Sequence, residues 1–261
     1  MIHEIPNGYV KVNKEGHITT IEFFHSNSNS LPSKLLEELA TEIHSAGNDS
    51  STHVIVLRSG GDNVFCAGAY FDELQHIKTE TQGLKFFSGF AHVINNMRKC
   101  PKLIIGRVQG KCVGGGVGLA AATDYCIAYK NASVKLSELA VGIGPFVIGP
   151  IVERKIGVSA FSQLAIDASM WRDADWAQRK GLFAEVHESI ENMDEAIHRL
   201  GNTLSKYSPE AMLELKRICW KGTEHWDELL QERAALSGRL ILSDYATQYL
   251  QQFKAKINAK N

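Results

Sequence analysis

A cluster of glycines at the junction of a strand and a helix constrains this chain more than any other feature. Leu103 to Val108 reads as a short apolar strand. Gly110 follows, then Gly114, Gly115 and Gly116, then an Ala-rich helical run from Leu119 to Thr123. Glycines at such a junction let backbone N–H groups approach a ligand with no Cβ in the way. The partial positive charge at the start of the new helix adds to that. Such a place suits a phosphate, or an oxyanion that develops during a reaction. The spacing matches neither GxGxxG nor the P-loop pattern, so neither nucleotide fingerprint is present. A tight helix–sheet crossing that needs only small residues is the alternative, and the glycines alone do not choose between the two.

The rest of the chain alternates. Tyr9 to Val12 and Ile18 to Phe24 read as strands hinged at Asn13 to Gly16, and in the second Thr19, Ile21 and Phe23 alternate with their neighbours. Ser33 to His44 is amphipathic, with Leu35, Leu36, Leu39, Ala40 and Ile43 on one face. Val54 to Leu57 is a continuous apolar run, the pattern of a strand covered on both sides. Leu84, Phe87, Ala91, Ile94 and Met97 recur at helical spacing, and Pro101 ends that helix. Asp124 to Tyr129 and Ala184 to His187 supply further strands, and 150–156 and 160–168 read as short helices. Strand–helix alternation with short links predicts an α/β fold. From about Met193 onward the pattern is only helical, so the expected division is a core over 1–195 and a C-terminal helical segment over 196–261.

Charge and cysteines narrow the class. With 28 basic and 29 acidic residues the net charge is −1, which favours neither nucleic acid nor an anionic membrane as partner. No apolar run approaches the roughly 20 residues that span a bilayer. Five cysteines, an odd number with no close pairing, and no basic-then-apolar leader pattern lead to the expectation of a reducing, cytoplasmic location. Cys66 and Cys112 lie inside the glycine segments, but no base is patterned with them. They read as small buried residues.

Two more segments give the glycine junction a context. Upstream, Asn63 to Leu74 contains Ala67-Gly68-Ala69 followed by Tyr70, Phe71, Asp72, Glu73 and Leu74. Downstream, Leu136 to Pro145 contains Ser137 and Glu138. In this order and spacing the three segments resemble the crotonase, or enoyl-CoA hydratase/isomerase, superfamily. The likeness extends over nearly the whole chain. It implies a spiral of β-β-α turns with a helical C-terminal segment that makes a homotrimer or a dimer of trimers. It also implies an acyl-CoA thioester substrate, with coenzyme A as part of the substrate and no separate cofactor or metal. The oxyanion hole would be the N–H groups of Ala69 and Gly115. Ala67, Tyr70, Phe71, Val113, Gly118 and Ser137 would contact the substrate, and His25 is a candidate for the CoA adenosine end, with a plain surface loop as its alternative.

The departures shape the expected chemistry. The aspartate the family places after Ala-Gly-Ala is Tyr70 here, the glutamate after the three glycines is Gly118, and the proline before the second glutamate is Ser137. Only Glu138 remains of the two carboxylates with which the family's hydratases hold and deprotonate water. Shifting a double bond from C3–C4 to C2–C3 needs one carboxylate, which takes a proton at C2 and returns it at C4. The resemblance therefore favours an isomerase acting through Glu138. A hydratase, including one of the methylglutaconyl-CoA type, and an acyl-CoA-binding member without catalysis are the alternatives.

Overall fold

The computed structural model describes residues 1–258. Its strands are β1 (Ile2–Ile5), β2 (Gly8–Glu15), β3 (Ile18–His25), β4 (Val54–Ser59), β5 (Val64–Cys66), β6 (Leu103–Val108), β7 (Lys111–Val113), β8 (Tyr125–Tyr129), β9 (Ser133–Lys135), β10 (Arg172–Asp173) and β11 (Glu185–His187). Its helices are α1 (Ser33–Asn48), α2 (Phe71–Leu74), α3 (Glu80–Lys99), α4 (Gly115–Ala122), α5 (Glu138–Val141), α6 (Gly149–Ile166), α7 (Ala174–Arg179), α8 (Ile190–Leu204), α9 (Pro209–Cys219), α10 (Trp226–Leu240) and α11 (Asp244–Asn258).

The strands form two sheets. The larger runs β1-β2-β3-β4-β6-β8-β11, and the smaller β10-β9-β7-β5. Three turns of chain, β4-β5, β6-β7 and β8-β9, each give one strand to each sheet and then a helix. These strands pair in parallel within their sheets. That is the β-β-α spiral. β1, β2 and β3 form an antiparallel entry to it.

Strand β4 has the two-sided burial its sequence calls for. Ile55 and Leu57 enter the main core, while Val54 and Val56 join Ile105, Ile127, Met193 and Ile197 under α8 on the other face. Arg107 of β6 forks onto Asp194 of α8 at 2.5 and 2.9 Å, which ties that helix to the sheet. α6 bends at Gly157, whose φ of 76° no helix accommodates, so the two short helices expected there meet at one residue.

The C-terminal helices return to the spiral. α10 lies against α3 so closely that a Cβ on Gly83 would stand 2.6 Å from the Gly238 Cα. Trp226, Leu230 and Ala234 are buried in that seam. α9 is fixed by Lys216, whose Nζ meets Asp124 at 2.8 Å, and by Trp220, whose Nε1–H donates to the same carboxylate at 2.8 Å. Leu215 and Ile218 of α9 face outward. No helix among the described residues is long and apolar enough to cross a membrane.

Candidate active site

The glycine junction is built by close approach. β7, not foreseen from the sequence, separates Gly110 from the glycine triplet. Gly114 (φ 52°) then caps α4, whose first turn is Gly115 and Gly116. A Cβ on Gly68, itself at φ 81°, would stand 2.7 Å from the Val113 oxygen and 3.2 Å from the Gly115 nitrogen. The Cys66–Ala69 loop therefore lies directly on the start of α4, and glycine is what permits it. Gly114 N–H donates to the Lys135 oxygen at 2.9 Å, which fixes the junction to β9. The N–H groups of Ala69 and Gly115 donate to no acceptor among the described residues.

Beside this junction is a cavity of about 60 Å³. Ala67, Ala69, Phe71, Val113, Gly115, Ser137 and Glu138, all candidates from the sequence, line it. The remainder of its wall includes Phe87 and Phe90 of α3, Phe146, Val147 and Ile148 ahead of α6, and Ser237 of α10. The sequence had shown Phe87 only as part of an apolar helix face. That periodicity marks a buried side but does not separate core from pocket wall. Ser237 had no local signal, because only the tertiary return of α10 brings it there.

Glu138 is the one ionisable side chain among the described residues of the lining. It opens α5 directly after β9 and Ser137. Gly142 (φ 90°) closes that short helix, and Ile143 N–H donates to the Glu138 carbonyl at 3.1 Å. The carboxyl reaches across the glycine junction: a Cβ on Gly114 would stand 2.8 Å from Oε1. Oε2 is buried and has no hydrogen-bond partner. Burial away from water raises the carboxyl's pKa to about 7, with a hydrogen bond from its own backbone N–H opposing the shift.

Three expectations need correction. Gly118 does not line the cavity. It is buried inside α4, and the space a side chain there would enter holds Ile148, whose Cγ2 stands 2.5 Å from the position of a Cβ. Tyr70 does not line it either. Its hydroxyl donates to Asp72 Oδ2 at 2.9 Å and its ring meets His25 edge-on at 4.8 Å. His25 is no surface-loop residue: it ends β3 and is 2% exposed. Its Nδ1 meets Ser30 Oγ at 3.2 Å, and burial pulls its pKa below the ordinary histidine value. Glu73 accepts hydrogen bonds from the Ser33 N–H and hydroxyl, which joins α2 to α1. Cys66 and Cys112 are buried as expected, and burial raises the Cys66 thiol to about 12, far from a reactive thiolate.

Two sheets wound by β-β-α turns around a glycine-framed apolar pocket with one carboxyl define the crotonase architecture. The chain belongs to the enoyl-CoA hydratase/isomerase family, whose model matches residues 13–256. It is 30% identical to a short-chain-enoyl-CoA hydratase of Clostridium acetobutylicum over 217 residues, 82% of either chain. It is 28% identical to the mitochondrial methylglutaconyl-CoA hydratase of Homo sapiens over 189 residues, which are 72% of this chain and 55% of that one. Its fold superposes on an enoyl-CoA hydratase from Bacillus halodurans with a TM-score of 0.86 at 20% identity, covering 93% of this chain and 99% of that one.

Proposed function

We propose that the chain is an enoyl-CoA isomerase that moves a C3–C4 double bond to C2–C3, with Glu138 as its single acid/base. The observation that carries this reading is the carboxyl of Glu138. It lies in an apolar cavity with Oε2 unpartnered, while the place of a second carboxylate is closed by Ile148.

The steps balance within the substrate. Glu138 as carboxylate takes the proton from C2, and the electron pair moves onto the thioester oxygen. The N–H groups of Ala69 and Gly115 stabilise that developing oxyanion, and losing one such donor typically costs about 10²–10³ in rate. The enolate collapses with its proton delivered to C4 by the Glu138 carboxylic acid, leaving the double bond between C2 and C3. No electrons leave the substrate, so the scheme needs no oxidant or reductant. A pKa of about 7 puts both forms of Glu138 within reach near neutrality.

The second reading is hydration of a 2-enoyl-CoA, favoured by the names of the two relatives above. Separate incubations with a 3-enoyl-CoA and a 2-enoyl-CoA distinguish them. Isomerisation of the first with little hydration of the second is expected. Fast hydration of the second with the first untouched would replace this reading.

Association into a trimer or a dimer of trimers belongs to the same proposal. Leu215 and Ile218 face outward on α9, 54% and 70% exposed, and an apolar face of this kind suits a subunit contact. Light scattering at micromolar concentration should give a multiple of three chain masses, and a monomer mass would refute it.

A further inference from the structure

We infer that the cavity selects short, uncharged acyl groups and rejects acyl chains that end in a carboxylate, with Phe146 as one of the residues that set the length limit. This rests on the reading that the cavity receives the acyl part of a CoA thioester.

Charge selection follows from what the wall contains. Among the described residues that line the cavity there is no lysine, arginine or histidine. The polar side chains are Ser137, Ser237 and Glu138. Ser237 already donates its hydroxyl hydrogen to the Arg233 oxygen at 3.1 Å, so it offers an acceptor more readily than a donor. A carboxylate entering the cavity would lose its water, gain no cation and approach a second carboxyl. Burial of an uncompensated anion is among the costliest events in a protein interior. A dicarboxylate-derived acyl group, such as the relative named as a methylglutaconyl-CoA hydratase handles, therefore does not fit this chain's wall.

Length selection follows from what stands around the cavity. Aromatic rings bound it: Phe87 and Phe90 from α3, and Phe146. The Phe146 ring also lies across Gly144, with its Cζ 2.3 Å from where a Cβ there would be. A short acyl group occupies the space, and a longer one has to displace a ring.

Saturated acyl-CoAs test this without any turnover, so the outcome does not depend on whether the reaction is isomerisation or hydration. Calorimetric titration with butyryl-, octanoyl- and glutaryl-CoA measures the three affinities. Butyryl-CoA should bind, and glutaryl-CoA should bind at least about 100-fold more weakly. In an open apolar channel each added methylene would strengthen binding about fourfold, or about two hundred-fold for the four that separate octanoyl from butyryl. Here the gain should stay below about tenfold. In Phe146→Ala the octanoyl-to-butyryl affinity ratio should rise by about tenfold or more. If circular dichroism finds that variant unfolded, Phe87→Leu makes the same comparison with a smaller change, and a ratio that does not rise there counts against the length limit. Equal binding of glutaryl- and butyryl-CoA overturns the charge selection. A two hundred-fold gain for octanoyl-CoA overturns the length selection. Failure of butyryl-CoA to bind removes the thioester reading itself, and the selection with it.

Discussion

Ile148 occupies the space in front of Gly118: its Cγ2 stands 2.5 Å from where a Cβ on residue 118 would be. At the position where the family resemblance would put a second glutamate, a neighbouring side chain therefore stands in the way of any Cβ. Both residues are buried, Ile148 at 4% exposure. The pair makes the loss of one carboxylate a packed feature of this chain.

Restoring the carboxylate thus requires two changes. Gly118→Glu alone should destabilise the protein by about 1–3 kcal/mol through overpacking, and should give no hydration. Gly118→Glu combined with Ile148→Ala removes the obstruction and should introduce measurable hydration of a 2-enoyl-CoA. Urea unfolding measures the first effect and product analysis the second. Hydratase activity in the single variant would show that Ile148 is not the obstruction.

The proposed oxyanion donors, the N–H groups of Ala69 and Gly115, are backbone groups, so only a backbone change tests them. Ala69→Pro removes one N–H. In a variant that circular dichroism finds folded, kcat should fall by about 10²–10³. An unchanged kcat would mean that the thioester oxygen lies elsewhere.

Asp124 should anchor the C-terminal helices to the spiral. It accepts from the Ile104 N–H at 2.8 Å and from the Trp220 indole, and it pairs with Lys216, whose side chain is almost fully buried. Lys216→Met leaves that carboxylate without its counter-charge and should cost about 3–5 kcal/mol. Lys216→Met with Asp124→Asn removes both charges and should recover a good part of the loss. Denaturant midpoints of the two variants decide it, and equal loss in both would mean that packing, not charge, sets the cost.

Much of this molecule is legible in its sequence, for reasons that differ from place to place. Val54 to Leu57 announced a doubly covered strand because alternate residues serve two cores, and both cores exist. The glycine junction was legible because close backbone approach leaves no substitute for glycine at Gly68 and Gly116. The strands of the smaller sheet were not foreseen. β5, β7 and β9 are three residues each, too short to carry a period. His25 was misread because its polar neighbours looked like a surface turn, whereas Tyr70 and Ser30 enclose it. Ile148 could not be assigned to residue 118 at all. That contact crosses from one helix to the approach of another, and only the fold brings the two together.

The carboxyl of Glu138 should link activity and stability to pH in opposite directions. Burial raises its pKa from 4.5 to about 7. In the proposed mechanism the reactive form is the carboxylate, so kcat/KM should rise about tenfold per pH unit below 7 and level off above it. For stability, the unfolded chain releases this proton near 4.5 while the folded chain holds it to about 7. Between those values the folded state binds more protons, so this group's contribution falls as pH rises and is fully lost above about 7. Glu138→Gln keeps the size and polarity but carries no charge at any pH. It should therefore be more stable than the wild type at pH 8, by on the order of 3 kcal/mol, and about equal to it at pH 4.5. The same variant should lose several orders of magnitude in kcat with little change in KM, because the proton acceptor is gone while the pocket remains. Urea unfolding of both proteins at pH 4.5 and pH 8, together with a pH–rate profile, measures each part. A stability difference that is the same at both pH values would mean that the carboxyl titrates as it does in water, and the single buried base would be lost from the mechanism.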